Sequence, residues 1–283
     1  MTEIKTDVLV IGAGSGGLSV AAGAAQMGAD VTLLEGHKMG GDCLNYGCVP
    51  SKALLAAAKL ATAPTAASAF GLSAGPISVD YGAVQEHVAD VIAQIDPVDS
   101  QERFEGLGVR VIREFGHFTS PRVVQAGDNT IRARRVVIAT GSSPLVPPIE
   151  GLRDLPYLTN ETLFDLRAAP AHLLILGGGP IGMEMAQAHI RLGCQVTVLE
   201  AILFTSNVIV QLKTSIETSN QIATGRNEIP NYRSFGVFVV GSPSRNVSSF
   251  LDQSGYDGRL VWKLMVKGIH RIDRHLHGIR WSK

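Results

Sequence analysis

The chain has 283 residues, balanced formal charge (25 Lys+Arg against 25 Asp+Glu) and a hydrophobic fraction of 45%, enough for one large or two ordinary packed domains. Zero net charge gives no support for a nucleic-acid or anionic-membrane partner, and three cysteines exclude a secreted disulfide scaffold, so a reducing, cytoplasmic setting is expected. Glycine is frequent (31 residues) and aromatic content low (6%), a composition suited to tight turns and close backbone approaches.

The opening "MTEIKTD" mixes both charge signs and has no basic n-region, so no signal peptide is expected. Val8 to Ala29 is uncharged and long enough to span a membrane. Glycines 12, 14, 16 and 17 crowd into six of its positions, however. The stretch therefore reads as a buried strand, a glycine turn and a small-residue helix. Gly12, Gly14 and Gly17 follow "DVLVI" in G-x-G-x-x-G spacing. The first suits a tight turn, the second lets backbone approach a pyrophosphate, and the third lets helix pack on strand. Glu35 ends the next strand, eighteen residues after Gly17, where a carboxylate accepts hydrogen bonds from a ribose diol.

Next comes "GGDCLNYGCVPSKALL", Gly40 to Leu55. Its C-x4-C spacing matches neither a zinc ribbon nor a thioredoxin motif, and no neighbouring His or Cys completes a metal shell. Pro50 suits the first turn of a helix over about Pro50–Thr62, which brings Cys48 to the end where a thiolate is stabilised; Lys52, one turn on, adds positive charge. Taken alone, these residues read as an activated dithiol beside a nucleotide site, with two inert buried thiols as the plainer alternative.

An Ala/Ser/Gly/Pro-rich loop (63–75), a helix (Tyr81–Ile95) and short strands in "GVRVIREF" and "RVVQA" are expected to follow. The strand in "RRVVIATGSSP" runs into a glycine turn, and "PLVPPIEGL" reads as a Pro-rich linker. A second unit, His172–Glu200, then repeats the first, with Gly177, Gly179 and Gly182 in the same spacing and Glu200 eighteen residues beyond Gly182. Two βαβ units imply two dinucleotide sites, and an acid at Glu200 repels a 2′-phosphate, favouring NADH over NADPH. Cys194 reads as a small core residue. The expected fold is α/β, with two Rossmann-like domains divided at 1–150 and 151–200. Residues 201–283 form an atypical tail with only two alanines, ten serines and a charge of +6 from eleven Lys+Arg and five Asp+Glu. This break reads as a truncation or frame change after about residue 200, with a diverged, loop-rich region as the plainer alternative. "IATGRNEIPN" is read as a chance likeness to a turn of the family that residues 4–200 resemble, and "HRIDRHLH" as a solvated basic stretch.

The ordered motifs of residues 4–200 resemble the class I pyridine nucleotide–disulfide oxidoreductases, the flavoprotein group of dihydrolipoamide dehydrogenase, glutathione reductase and mercuric reductase. "DSQERFEGLGVRVI" and "GHFTSPRVV" lean toward the mercuric-reductase-like branch. The resemblance implies that residues 1–150 bind FAD, its ADP half held by the first fingerprint and Glu35. Gly41, Asp42 and Cys43 would run along its pyrophosphate and flavin. Cys43 would be the interchange thiol and Cys48 the charge-transfer thiol. Lys52 would reach flavin N5 and pair with Glu184, Gly116 would contact the adenine side, and Thr140, Gly141 and Ser142 would form a turn near FAD. Gly177, Gly179, Gly182 and Glu200 would bind NAD(P)H. Hydride would pass to FAD and electrons on to a Cys43–Cys48 disulfide, which would act on a disulfide/dithiol substrate or Hg(II).

Past Glu200 the family pattern stops. The "AxGD" turn, and the interface domain that makes the family homodimeric and supplies a His–Glu pair to the partner, are not recognisable. Two other readings follow: a non-catalytic remnant that binds nucleotide weakly, and a thiol-based metal or redox sensor. The second leaves the repeated βαβ unit unexplained.

Overall fold

A computed structural model of the chain describes residues 2–75, 77–149, 151–200, 208–212 and 237–241. It divides into two compact units, one of residues 1–54 and 85–143, the other of residues 55–84 and 144–283.

In chain order the elements of the first half are β1 (Thr2–Ile11), α1 (Ser15–Gln26), β2 (Val31–Leu34), α2 (Gly41–Asn45), α3 (Cys48–Ala61), α4 (Ala63–Ser68), α5 (Tyr81–Asp99), α6 (Gln101–Gly106), β3 (Arg110–Ile112), β4 (Gly116–Ser120), β5 (Val123–Ala126) and β6 (Asn129–Ile138). The first unit's sheet has strand order β3-β2-β1-β6-β5-β4. Its β3, β2, β1 and β6 run parallel, while β4 and β5 add an antiparallel hairpin beside β6. One face buries Val10, Leu18, Ala21, Val31, Leu33 and Phe104; the other buries Leu9, Leu34, Val124 and Ile131. Strands buried on both faces read as continuous apolar runs, which is why "DVLVI" and "VTLL" are so uniform.

Three elements depart from the sequence expectation. β1 begins at Thr2, because its polar start pairs in register with Asn129–Arg132 of β6, a tertiary contact that hydrophobicity does not report. Residues 63–68 form α4 rather than loop; Pro64 stands at its N-terminal turn and alanine, the best helix former, fills it. α5 runs four residues past Ile95, through Pro97, which near a helix end removes little hydrogen bonding.

The second unit contains β7 (Tyr157–Thr159), α7 (Asn160–Leu163), β8 (His172–Leu176), α8 (Pro180–Arg191), β9 (Gln195–Glu200), β10 (Val208–Leu212) and β11 (Val237–Gly241). Its sheet order is β10-β9-β8-β11-β7, with β8 and β9 parallel and the other pairs antiparallel. The expected second βαβ unit is thus β8–α8–β9. Two backbone segments of the atypical tail, β10 and β11, join this sheet; "IATGRNEIPN" and "HRIDRHLH" lie outside the described residues. No helix among the described residues is long and apolar enough to cross a membrane.

Candidate functional site

At the end of β1 the chain turns through Gly12 with φ 104°, a conformation side chains resist. A Cβ there would lie 2.3 Å from the carbonyl oxygen of Ala139. The Ala139 N–H donates to the Ile11 carbonyl at 2.8 Å, continuing the β1–β6 ladder into the turn. Gly17, in the first turn of α1, backs onto the same residue: a Cβ on Gly17 would sit 1.8 Å from the Gly12 oxygen. α1 follows Gly14 with no side-chain cap and no acidic residue in its first turn. Its leading N–H groups therefore suit an anion.

The segment leading into the cysteines packs on this turn. Gly14 and Gly40 form an isolated parallel bridge. A Cβ on Gly41 (φ 57°) would lie 2.6 Å from the Gly14 Cα. Gly12, Gly14, Gly41 and the Ala139–Thr140 stretch are therefore gathered by backbone-to-backbone contact, a cradle that Cβ atoms would fill. Gly141 continues it at φ 66°, and Thr140, Gly141 and Ser142 are exposed. Glu35 closes one side: its Oε2 accepts from the Ala13 N–H and its Oε1 from the His37 N–H, both at 2.7 Å. A carboxylate accepts at about four lone-pair sites, so capacity remains for a ribose diol. Gly116 opens β4 tightly packed, a Cβ there falling 2.7 Å from Leu34 Cδ1 and 2.9 Å from Val124 Cγ1. These residues fit an FAD pyrophosphate and ribose.

Cys43 lies mid-way along α2, and Cys48 is the first residue of α3. Both are free thiols; Cys43 is half-buried and Cys48 exposed. The Asn45 side-chain amide pins α2 by donating to the Met39 and Gly41 carbonyls, each at 2.9 Å. The Cys43 thiol is pushed up to about 11, first by burial, then by its hydrogen bond to Cys48 and the charge of that neighbour; the Cys48 backbone N–H acts in the opposite sense. The sequence reading anticipated an activated dithiol. At Cys43 the opposite holds: it keeps its proton because burial penalises its thiolate. Asp42 is exposed on α2, packed where a Cβ on Gly47 would meet its Oδ2 at 2.7 Å. Lys52 is exposed, one turn beyond Cys48, and the Lys38 ammonium stands 5.1 Å over the Tyr46 ring between the two cysteines.

In the second unit the same device recurs. Gly177 has φ 109°, its N–H donates to the Leu199 carbonyl at 2.8 Å, and a Cβ on Gly182 would lie 2.0 Å from the Gly177 oxygen. α8 starts after Gly179 with Pro180 in its first turn, no side-chain cap and no acidic residue there. Glu184 is half-buried on α8, in the second unit, whereas Lys52 belongs to the first. Glu200 closes β9, and its side chain lies outside the described residues. Among the described residues no cluster of three His, Cys, Asp or Glu side chains forms a metal site.

Two groups escaped the sequence reading. Arg113 and Phe115 bracket the Glu35–His37 turn, and an isolated Arg or Phe after a strand carries no motif. In the second unit, Tyr81 and His189 form a buried pair, Tyr81 Oη to His189 Nε2 at 2.9 Å, with His189 Nδ1 on the Met185 carbonyl at 2.8 Å. Their separation of 108 positions hid that contact.

Comparisons with known proteins meet this geometry from another side. A mercuric reductase of Streptomyces lividans is 37% identical over 197 residues, covering 68% of this chain and 42% of that protein. A dihydrolipoyl dehydrogenase of Halobacterium salinarum is 37% identical over 202 residues, covering 69% and 42%. Among solved structures, the Cu(II) complex of the HOCl-induced flavoprotein disulfide reductase RclA from Escherichia coli superposes with a TM-score of 0.59 at 27% identity, over 77% of this chain and 46% of that one. The chain thus spans less than half the length of each of these three relatives. A family model described as pyridine nucleotide-disulphide oxidoreductase matches residues 6–217, seventeen residues beyond the expected limit at Glu200. Two glycine turns of one geometry, a free dithiol between them in sequence and this match together place the chain in the pyridine nucleotide-disulphide oxidoreductase family.

Proposed function

We propose that this chain carries the nucleotide-binding and thiol portions of an FAD-dependent oxidoreductase that takes electrons from NAD(P)H and delivers them, through a Cys43–Cys48 disulfide, to a disulfide substrate or to Hg(II). The supporting observation is the glycine cradle of Gly12, Gly14 and Gly41, set directly beside α2 and the free thiol of Cys43. FAD, when bound, supplies a two-electron relay between a nicotinamide and a disulfide. Residues 1–150 form the FAD-binding part and residues 151–200 the start of the nicotinamide-binding part. Gly12, Gly14, Gly17, Gly41, Asp42 and the Thr140–Gly141–Ser142 turn hold the pyrophosphate and flavin side, with Glu35 on the ribose and Gly116 at the adenine side. Gly177, Gly179, Gly182 and Glu200 hold the nicotinamide cofactor, and the acid favours NADH.

Cys43 and Cys48 carry the exchange chemistry. One NADH and one proton convert their disulfide to two thiols, and Cys43 then attacks substrate while Cys48 resolves the mixed disulfide. Because Cys43 holds its proton well above neutral pH, a base must remove it before attack. The resemblance assigns that base to a histidine of a partner's interface domain. Lys52 supplies positive charge one turn from Cys48, and Glu184 is its proposed ion partner.

The experiment is NADH consumption by the FAD-reconstituted chain with lipoamide, glutathione disulfide or Hg(II) as acceptor. Cys43→Ser is expected to lower acceptor reduction by about 10²-fold or more while NADH still reduces the flavin. Wild-type acceptor turnover by Cys43→Ser contradicts the assignment.

A further inference from the structure

The carboxylate proposed to bind ribose is held by a group outside both fingerprints. In the parallel pairing of β2 with β3, Leu34 lies opposite Ile112, and the Glu35 N–H donates to the Ile112 carbonyl at 3.0 Å. Arg113, the next residue, therefore emerges alongside Glu35. Its Nε donates to the Glu35 carbonyl at 3.3 Å and its guanidinium also donates to the His37 carbonyl. Phe115, two positions on, lies over Gly36: a Cβ on Gly36 would fall 2.6 Å from three atoms of the Phe115 ring. The His37 ring meets Phe115 edge-on at 5.0 Å. Intervening Glu114 faces the other way, toward Gly127.

The two carbonyls that Arg113 grips, those of Glu35 and His37, flank Gly36 and fix the turn immediately C-terminal to the Glu35 side chain. That side chain in turn ties the Ala13 N–H, inside the first glycine turn, to the His37 N–H. A planar guanidinium with fixed donors and permanent charge suits such two-point bridging, whereas an ammonium offers one flexible point. We propose that Arg113 is a positioning residue: it fixes the Glu35–His37 turn and so presents the Glu35 carboxylate to the ribose of FAD. The ribose role rests on the flavin-site reading above; the hold on the turn does not.

Two measurements on the full chain, in wild type, Arg113→Ala and Arg113→Lys, test it. The first is hydrogen exchange of the Ala13 and His37 amides in flavin-free protein. The second is equilibrium binding of FAD, with NADH binding as the control for general damage. Arg113→Ala is expected to speed exchange at both amides and to weaken FAD binding about tenfold, the scale of one hydrogen bond to a charged group, with NADH affinity unchanged. Arg113→Lys falls between. Unchanged exchange at both amides, or unchanged FAD affinity, overturns the proposal, and so does an equal loss of FAD and NADH affinity. Wild-type protein that binds no FAD overturns the flavin-site reading and the ribose role with it, while the exchange data still decide whether Arg113 holds the turn.

Discussion

Cys43 and Cys48 sit five positions apart, yet their surroundings separate them: one is half-buried in a short helix, the other exposed at the head of a long one. Burial disfavours the Cys43 thiolate, so the Cys43 proton is retained up to about pH 11. Alkylation of the reduced chain with iodoacetamide, read by peptide mass spectrometry, should therefore speed up at Cys43 about tenfold per pH unit through the alkaline range. A Cys43 rate already at its plateau near neutral pH contradicts this. Cys194, also pushed up to about 11 by burial and enclosed by core, should label more slowly at every pH because the reagent cannot reach it. At this scale the sequence revealed the cysteines, the proline and the lysine. It could not reveal which thiol is buried, since that depends on how α2 packs against Gly14 and Met39.

At the scale of elements, each fingerprint works by letting a helix glycine back onto the turn that precedes it. In Gly182→Ala the new methyl would collide with a backbone oxygen 2.0 Å away, which cannot swing aside as a side chain can. α8 must then shift from β8, at a stability cost of about 1–3 kcal/mol. The expected outcome is loss of NADH binding with FAD binding retained, measured by separate titrations; equal retention of both ligands contradicts the two-site reading. This part of the fold was legible because G-x-G-x-x-G between apolar runs writes a strand, a turn and a helix in local sequence. α4 was not legible, because an Ala/Ser/Pro mixture serves loop or helix alike. The Arg113 bracket was not legible either, because only the β2–β3 register brings it to Glu35.

In the molecule as a whole, the second unit is joined by a group that plays no part in the proposed chemistry. His189 is fully buried; its Nδ1–H donates to the Met185 carbonyl, which leaves Nε2 to accept a hydrogen bond from the Tyr81 hydroxyl. Desolvation by burial lowers its pKa to about 4. Unfolded histidine titrates near 6.5, so between those values the unfolded chain binds the extra proton. The neutral imidazole's contribution is complete above about pH 6.5 and lost as pH falls toward 4, a change of about 3 kcal/mol. Urea unfolding of the second unit should show that decline, and His189→Asn should flatten it. A wild-type profile with no fall over that interval contradicts the assignment. Such a contact joins α5 to α8 across more than a hundred positions, beyond the reach of any local pattern.

The proposed coupling of a nicotinamide to the Cys43–Cys48 pair through FAD is decided by an anaerobic NADH titration of FAD-reconstituted protein, followed by flavin absorbance and thiol counting. NADH should bleach the flavin and raise the reactive thiol count by two in protein first oxidised at Cys43 and Cys48, with no such rise in Cys43→Ser. Flavin that stays oxidised under excess NADH, or bleaching with no new thiols, would contradict it.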